Sequence, residues 1–225
     1  MSSNPLMVIA GKILRVIEEG VRLLPDSIVL GTGIISILSL SKSYAILLAS
    51  MFELMVIQRI VANIFASVKP IGAGPNALQD ICQPGFVFPN LMRISIIEHI
   101  GIPSSFPSPV MFFLTGILSY MVSSVRQFEN EINALKGDLQ TRSTVGVVLS
   151  VLLLIGVFFF RVTYGCETFD TLLLSIVLGI FAGVGIMYQN STMFGRAGVN
   201  ILNLPMILSP SEAGNSSMYV CGPAN

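Results

Sequence analysis

The stretch "FFFRVTYGCETFDTLLLSIVLGIFAGVG", Phe158–Gly185, decides the fold class of this chain. An apolar run halts at Arg161, passes through a short polar segment holding Gly165 and Glu167, and resumes after Asp170. A chain that leaves a hydrocarbon layer, turns and re-enters it reads this way. Each crossing needs roughly 20 apolar residues in helical form, since only helices and closed barrels satisfy their own backbone groups in lipid. The flanking runs 145–160 and 171–189 carry no charge. Over the whole chain of 225 residues 53% are hydrophobic and 11% charged, against about 25% charged in soluble domains. The pattern specifies an all-α integral membrane bundle.

Working outward, the same criterion assigns spans to 26–40, 44–68, 110–125, 143–160 and 170–188. Upstream of the first, Lys12, Arg15, Glu18, Glu19 and Arg22 recur at helical spacing, with Leu6, Ile9, Ile13, Val16 and Ile17 mostly opposite them. That predicts an interfacial amphipathic helix over 1–25, ended by Pro25. Its charges do not suit the unbroken apolar core of a signal peptide. Gly31, Gly33, Ser36 and Ser39 suit tight helix packing in the first span. Residues 69–109 form a long Pro- and Gly-rich connection, of a length uncommon outside functional loops, with a short helix expected over 91–100. Phe128, Ile132, Leu135 and Leu139 recur at four, three and four residues. They predict an amphipathic helix over 126–142 projecting from the membrane. A polar tail, 190–225, completes the layout and carries two Asn-X-Ser/Thr acceptor patterns, at Asn190 and Asn215.

Several function classes lack support. Net charge is zero and no basic block appears, so nucleic acid has no electrostatic footprint. A single histidine, His99, and three distant cysteines (Cys82, Cys166, Cys221) indicate neither a metal site nor a disulfide framework. No cofactor is implied. Basic residues divide almost evenly between the two membrane faces, so they do not set an orientation. Glu53 and Arg59 are candidate buried charges within the second span, expensive against lipid and expected to face other helices or water.

Three segments share one membrane face in this layout: the start of the long connection at Lys69, its end at Pro107-Ser108, and the turn from Arg161 to Asp170. Here the chain resembles the type 2 phosphatidic acid phosphatases and related haloperoxidases, whose helical core gathers three motifs on one face. Lys69 follows a helix as in the first motif, with Asn76-Ala77 where Arg-Pro is expected. "FPSPVMFFLTG" is similar to the second at Phe106, Pro107 and Ser108, while Pro109 and Val110 replace its glycine and histidine. "FRVTYGCETFD" is similar to the third through Arg161, Gly165 and Asp170, with Glu167 in the histidine's place. A glycine-rich helix follows, and the likeness covers residues 6–188. In that family one histidine attacks phosphorus and another protonates the leaving alkoxide, between lysine and arginine clamps.

The resemblance therefore implies an inactive relative in which Lys69, Ser108 and Arg161 are candidate anion-binding residues. Against that, Arg161 also reads as an interfacial anchor closing the fourth span, Asp170 as the N-cap of the fifth, and Pro107 and Pro109 as helix starters. The expectation is a non-catalytic multi-pass protein whose partners are the lipid bilayer and neighbouring proteins of a larger assembly. Those neighbours would be reached through the long connection, the 126–142 helix and the tail; the internal membrane of a large virus particle is one such setting. Two alternatives stand beside it. One is a lipid-phosphate phosphatase or phosphotransferase at the membrane face, with Glu167 or His99 as an unusual nucleophile. The other is a small transporter or channel using Glu53, Arg59 and Asn63.

Overall fold

The computed structural model describes residues 5–65, 74–76, 80–82, 85, 106–134 and 139–202. These residues form α1 (Pro5–Ser39), α2 (Lys42–Phe65), a single 3-10 turn (Asp80–Cys82), α3 (Pro109–Gln127), α4 (Glu129–Ala134), α5 (Leu139–Thr163) and α6 (Phe169–Gly198), with no strand among them. Five segments are long and apolar enough to cross a membrane: Arg15–Ser39 of α1, α2, α3, Thr141–Thr163 of α5, and α6. The chain is an all-α, membrane-embedded helical bundle. Its predicted short helix over 91–100 and most of its tail lie outside the described residues.

The bundle is built around α3. Val110 through Ile117 are all buried, because α6 covers one side of α3 and α2 the other. The contact with α6 is close because both surfaces are small. A Cβ added to Gly183 would sit 2.0 Å from the carbonyl oxygen of Gly116, and one added to Gly179 would sit 2.6 Å from that of Phe112. Ser119 adds a hydroxyl bond of 3.3 Å to the Ile180 carbonyl across the same seam. Without a hydrophobic drive between helices in lipid, such backbone-to-backbone approach supplies the association. The tight packing sits here and not in the first span, where Gly31 and Gly33 meet nothing within 4 Å. Helix α5 is peripheral, and its outer residues Leu149 and Phe159 are about three-fifths exposed, a surface suited to acyl chains.

Three expectations are corrected. First, α1 does not end at Pro25 but runs through it as one helix. Proline removes a backbone donor and disturbs the carbonyls one turn back. Here the Gly85 N–H donates to the Arg22 carbonyl at 3.2 Å, and Asp26 beside the proline is buried. At about 1.5 Å per residue the helix is longer than the roughly 30 Å hydrocarbon layer, so its first turns continue beyond the layer in line with the span. Second, the 126–142 helix does not project. It breaks at Phe128, and Phe128 and Ile132 fold back onto Val199 in a small buried cluster. Third, α6 continues well past residue 188, and the φ of +69° at Gly195 lets its last turn bend back over that cluster.

Asn190, which the sequence places in the tail within an Asn-X-Ser/Thr pattern, is consequently inside the bundle. Its amide donates to the Ser50 hydroxyl at 2.7 Å and the Tyr120 hydroxyl at 3.4 Å. At the same end Arg196 donates to the Glu131 carboxylate at 2.7 Å and to the Gln127 carbonyl at 2.9 Å, with its guanidinium over the Phe128 ring.

Candidate functional site

At the other end of the bundle α2 finishes, α3 begins, and α5 turns into α6. The turn is tight because Gly165 takes φ +64°, a left-handed conformation that glycine adopts without a Cβ penalty. That reversal brings Glu167 back over the last turn of α5. Arg161 Nε donates to Glu167 Oε2 at 2.8 Å and Nη2 to Oε1 at 2.9 Å. The side chains are 9% and 5% exposed, so the two-pronged pair is desolvated. Arg161 Nη1 spends a further donor on the Cys82 carbonyl at 3.3 Å. Planar guanidinium and planar carboxylate match in this geometry, the strongest arrangement open to either group.

The long connection is clipped onto this turn. Cys82 and Cys166, 84 positions apart in sequence, form a disulfide with Cα atoms 5.3 Å apart, which corrects the reading that the cysteines indicate no disulfide. Gly74 N–H donates to the Cys166 carbonyl at 3.2 Å, and Asn76 N–H to the Gly165 carbonyl at 3.0 Å. The Asn76 amide also donates to the Tyr164 carbonyl at 2.9 Å. Gly74 is required for this approach, since a Cβ there would fall 2.1 Å from the Gly165 carbonyl oxygen. Tyr164, just outside the fourth span, donates its hydroxyl to the Glu18 carboxylate of α1. The hydrogen bond to that carboxylate, then burial, raises the tyrosine pKa.

Among the residues singled out from sequence, Asn76, Arg161 and Glu167 meet around the Gly165 turn. Ser108 is fully buried one layer below. It caps α3, its hydroxyl accepting from Met111 N–H at 3.4 Å while its own N–H donates to Ser175 Oγ at 2.7 Å. Pro109 follows as the first helical residue, so this start was legible as a proline–cap signal. Val110 is buried in the apolar core. Asp170 is exposed in the first turn of α6, and the N-cap is Thr168, a correction that follows from the helix starting two residues earlier than the apolar run. Glu53, half-buried on α2, accepts from Gln189 of α6 at 2.9 Å, and Arg59 is half-buried on the same helix. Lys69 and His99 lie outside the described residues. Sequence reasoning missed the disulfide, the Glu167 partner of Arg161 and the Gly74–Asn76 clip, none of which has a local signature.

Chemically the arrangement is closed. The guanidinium that an incoming phosphate would need already holds a carboxylate, and among the described residues no group of three or more His, Cys, Asp or Glu side chains is placed to hold a metal ion. No family model matches the chain, and no curated protein or solved structure matches it either.

Proposed function

We propose that this chain is a non-catalytic multi-pass membrane protein that serves as a structural or interaction component of a larger membrane-associated assembly, and that its helical layout descends from a type 2 phosphatidic acid phosphatase-like core. The observation that carries the reading is the occupied fork of Arg161. Glu167 stands at the position where the resemblance expects the nucleophilic histidine, and its two carboxylate oxygens are engaged with the guanidinium at 2.8 and 2.9 Å. A carboxylate so held neither attacks phosphorus nor leaves the clamp open to a phosphate. The position of the second histidine is Val110, buried among apolar side chains without any proton to give. What the end of the bundle does instead is present a cross-linked cap, in which α1, the long connection and the α5–α6 turn are joined by a disulfide and backbone bonds. A rigid cap of this kind suits lateral or end-on docking of neighbouring proteins.

Two measurements test the proposal. Purified protein in nanodiscs with phosphatidate releases no phosphate above the level of an Arg161→Ala variant; release that falls in that variant overturns the non-catalytic reading. In native membranes, removing residues 206–225 abolishes recovery of the chain within its assembly, and undiminished recovery counts against the tail as its attachment.

A further inference from the structure

We propose that the surface around Glu53, where α2 meets α6, docks a transmembrane helix of a partner protein that carries a lysine or arginine at mid-membrane depth. The inference rests on the assembly reading above and names the class of neighbour. Glu53 lies eleven residues from Lys42 and twelve from Phe65, the two ends of α2. At 1.5 Å per residue that is about 17 Å from either end, the centre of a hydrocarbon layer of roughly 30 Å. An ionised carboxylate facing lipid at that depth is costly, and charged groups within spans are almost always paired or face water.

The bundle itself does not pair this one. Glu53 is half-buried, and its carboxylate accepts a hydrogen bond from the neutral Gln189 amide of α6 at 2.9 Å. Among the described residues no cation forms a salt bridge with it. The Asn190 amide is already engaged by the Ser50 and Tyr120 hydroxyls. Lys42 stands over the Phe194 ring at 5.6 Å. Arg59 is six residues on, about 9 Å along the axis, and has an interaction of its own.

The Glu53–Gln189 pair is also open to approach. The bonds Ser43–Ala197 and Ser50–Asn190 show that α2 and α6 run antiparallel, so Ala49 flanks the pair one turn to one side and Gly185 one turn to the other. Ala49, Gly185 and Gln189 are exposed, and a Cβ on Gly185 meets nothing within 4 Å. Small residues let a neighbouring helix come close in lipid, and the unpaired carboxylate sets the charge it must bring. A second copy of this chain does not bring it. Two chains oriented alike in one membrane hold Glu53 at equal depth, so across a two-fold axis carboxylate meets carboxylate, a repulsion strongest in low dielectric.

The experiment places the full chain, donor-labelled, in phosphatidylcholine vesicles with an acceptor-labelled leucine–alanine transmembrane peptide bearing lysine, leucine or glutamate at its centre. Association is read by energy transfer. Glu53→Gln removes the charge and keeps the side chain's shape, and Gly185→Leu fills the open approach; circular dichroism checks that both keep their helicity. Expected is association about tenfold tighter for the lysine peptide than for the leucine peptide, a preference abolished by Glu53→Gln and weakened by Gly185→Leu. Equal association of the lysine and leucine peptides overturns the inference, as does a lysine preference that survives Glu53→Gln. Self-association of the chain that outcompetes the lysine peptide also overturns it, giving the face to a second copy. Recovery of the chain as a monomer from native membranes overturns the assembly reading instead, and is distinguished by a lysine preference that persists in vesicles.

Discussion

Glu167→Gln removes one charge from the Arg161–Glu167 pair while keeping the side chain's shape, and it puts an amide N–H₂ against a guanidinium N–H. The perturbation is severe because of where the pair sits. With side chains 9% and 5% exposed, water cannot re-solvate the arginine left behind. Removing one member of such a pair costs about 3–5 kcal/mol, whereas replacing both by apolar groups is often close to neutral. Arg161 also donates to the Cys82 carbonyl, so an Arg161→Met/Glu167→Leu double variant loses roughly 1 kcal/mol for that bond. A chain of this size shifts in Tm by about 2–4 °C per kcal/mol. The single variants therefore melt on the order of 10 °C lower, and the double variant only a few degrees lower.

The assay is helix melting by circular dichroism in detergent, since the chain has no tryptophan for fluorescence. The decisive quantity is the coupling across the cycle of Arg161→Met, Glu167→Leu and their double variant. Independent effects that add within about 0.5 kcal/mol refute the claim that these two groups neutralise each other. A second readout bears on function. Inorganic phosphate raises the Tm of Glu167→Gln, whose fork has lost its anion, and leaves the unaltered protein unmoved. Equal stabilisation of both means that the native fork is open to anions after all.

Three further outcomes follow from the same geometry. Gly183→Leu drives a side chain into the Gly116 carbonyl and destabilises by about 1–3 kcal/mol or more through overpacking; Gly185→Ala on the same helix, with nothing within 4 Å, is neutral or mildly stabilising in the same melt. The raised pKa of Tyr164 means that the folded chain holds this proton more tightly than the unfolded chain. Its contribution is complete below the ordinary tyrosine range and fades as pH climbs through the raised value, so alkaline melting profiles of the unaltered protein and Tyr164→Phe converge. Because disulfides persist in oxidising compartments, the Cys82–Cys166 end is expected on the oxidising side; in a Cys221→Ser background, a Ser41→Cys probe in the α1–α2 turn at the opposite end is then labelled by an impermeant maleimide only from the other side of the membrane.

What could be read from the sequence, and what could not, divides along local and non-local physics. The five crossings were legible because hydrocarbon imposes a length and a composition on each one separately. The start of α3 was legible because a capping serine followed by proline is chemistry within a few residues. Pro25 was misread for the opposite reason. Whether a proline ends a helix depends on what meets the carbonyls it disturbs, and here a donor arrives from Gly85, sixty residues on. The spacing of Phe128 and Ile132 marks an apolar stripe, yet its cover is Val199 at the far end of α6, and nothing within a few residues of the stripe specifies that partner.

The same division explains the candidate site. Arg161 and Glu167 both drew attention, but at six residues apart they match no helical pairing rule. Their meeting depends on a helix end, a left-handed glycine and a reversal, each permitted by the sequence and none predicting the others. Once the turn closes, the carboxylate is carried to the guanidinium, and Gly74, Asn76 and Cys82 are tied to residues 165 and 166 by backbone bonds and the disulfide. At the other end Arg196 and Glu131 make a corresponding pair beneath the bent end of α6. Each arginine thus stands where a helix leaves the apolar layer, and each is neutralised by a carboxylate brought back by a turn or break in the chain. A bundle closed at both ends in this way commits Arg161, Glu167, Arg196 and Glu131 to its own architecture.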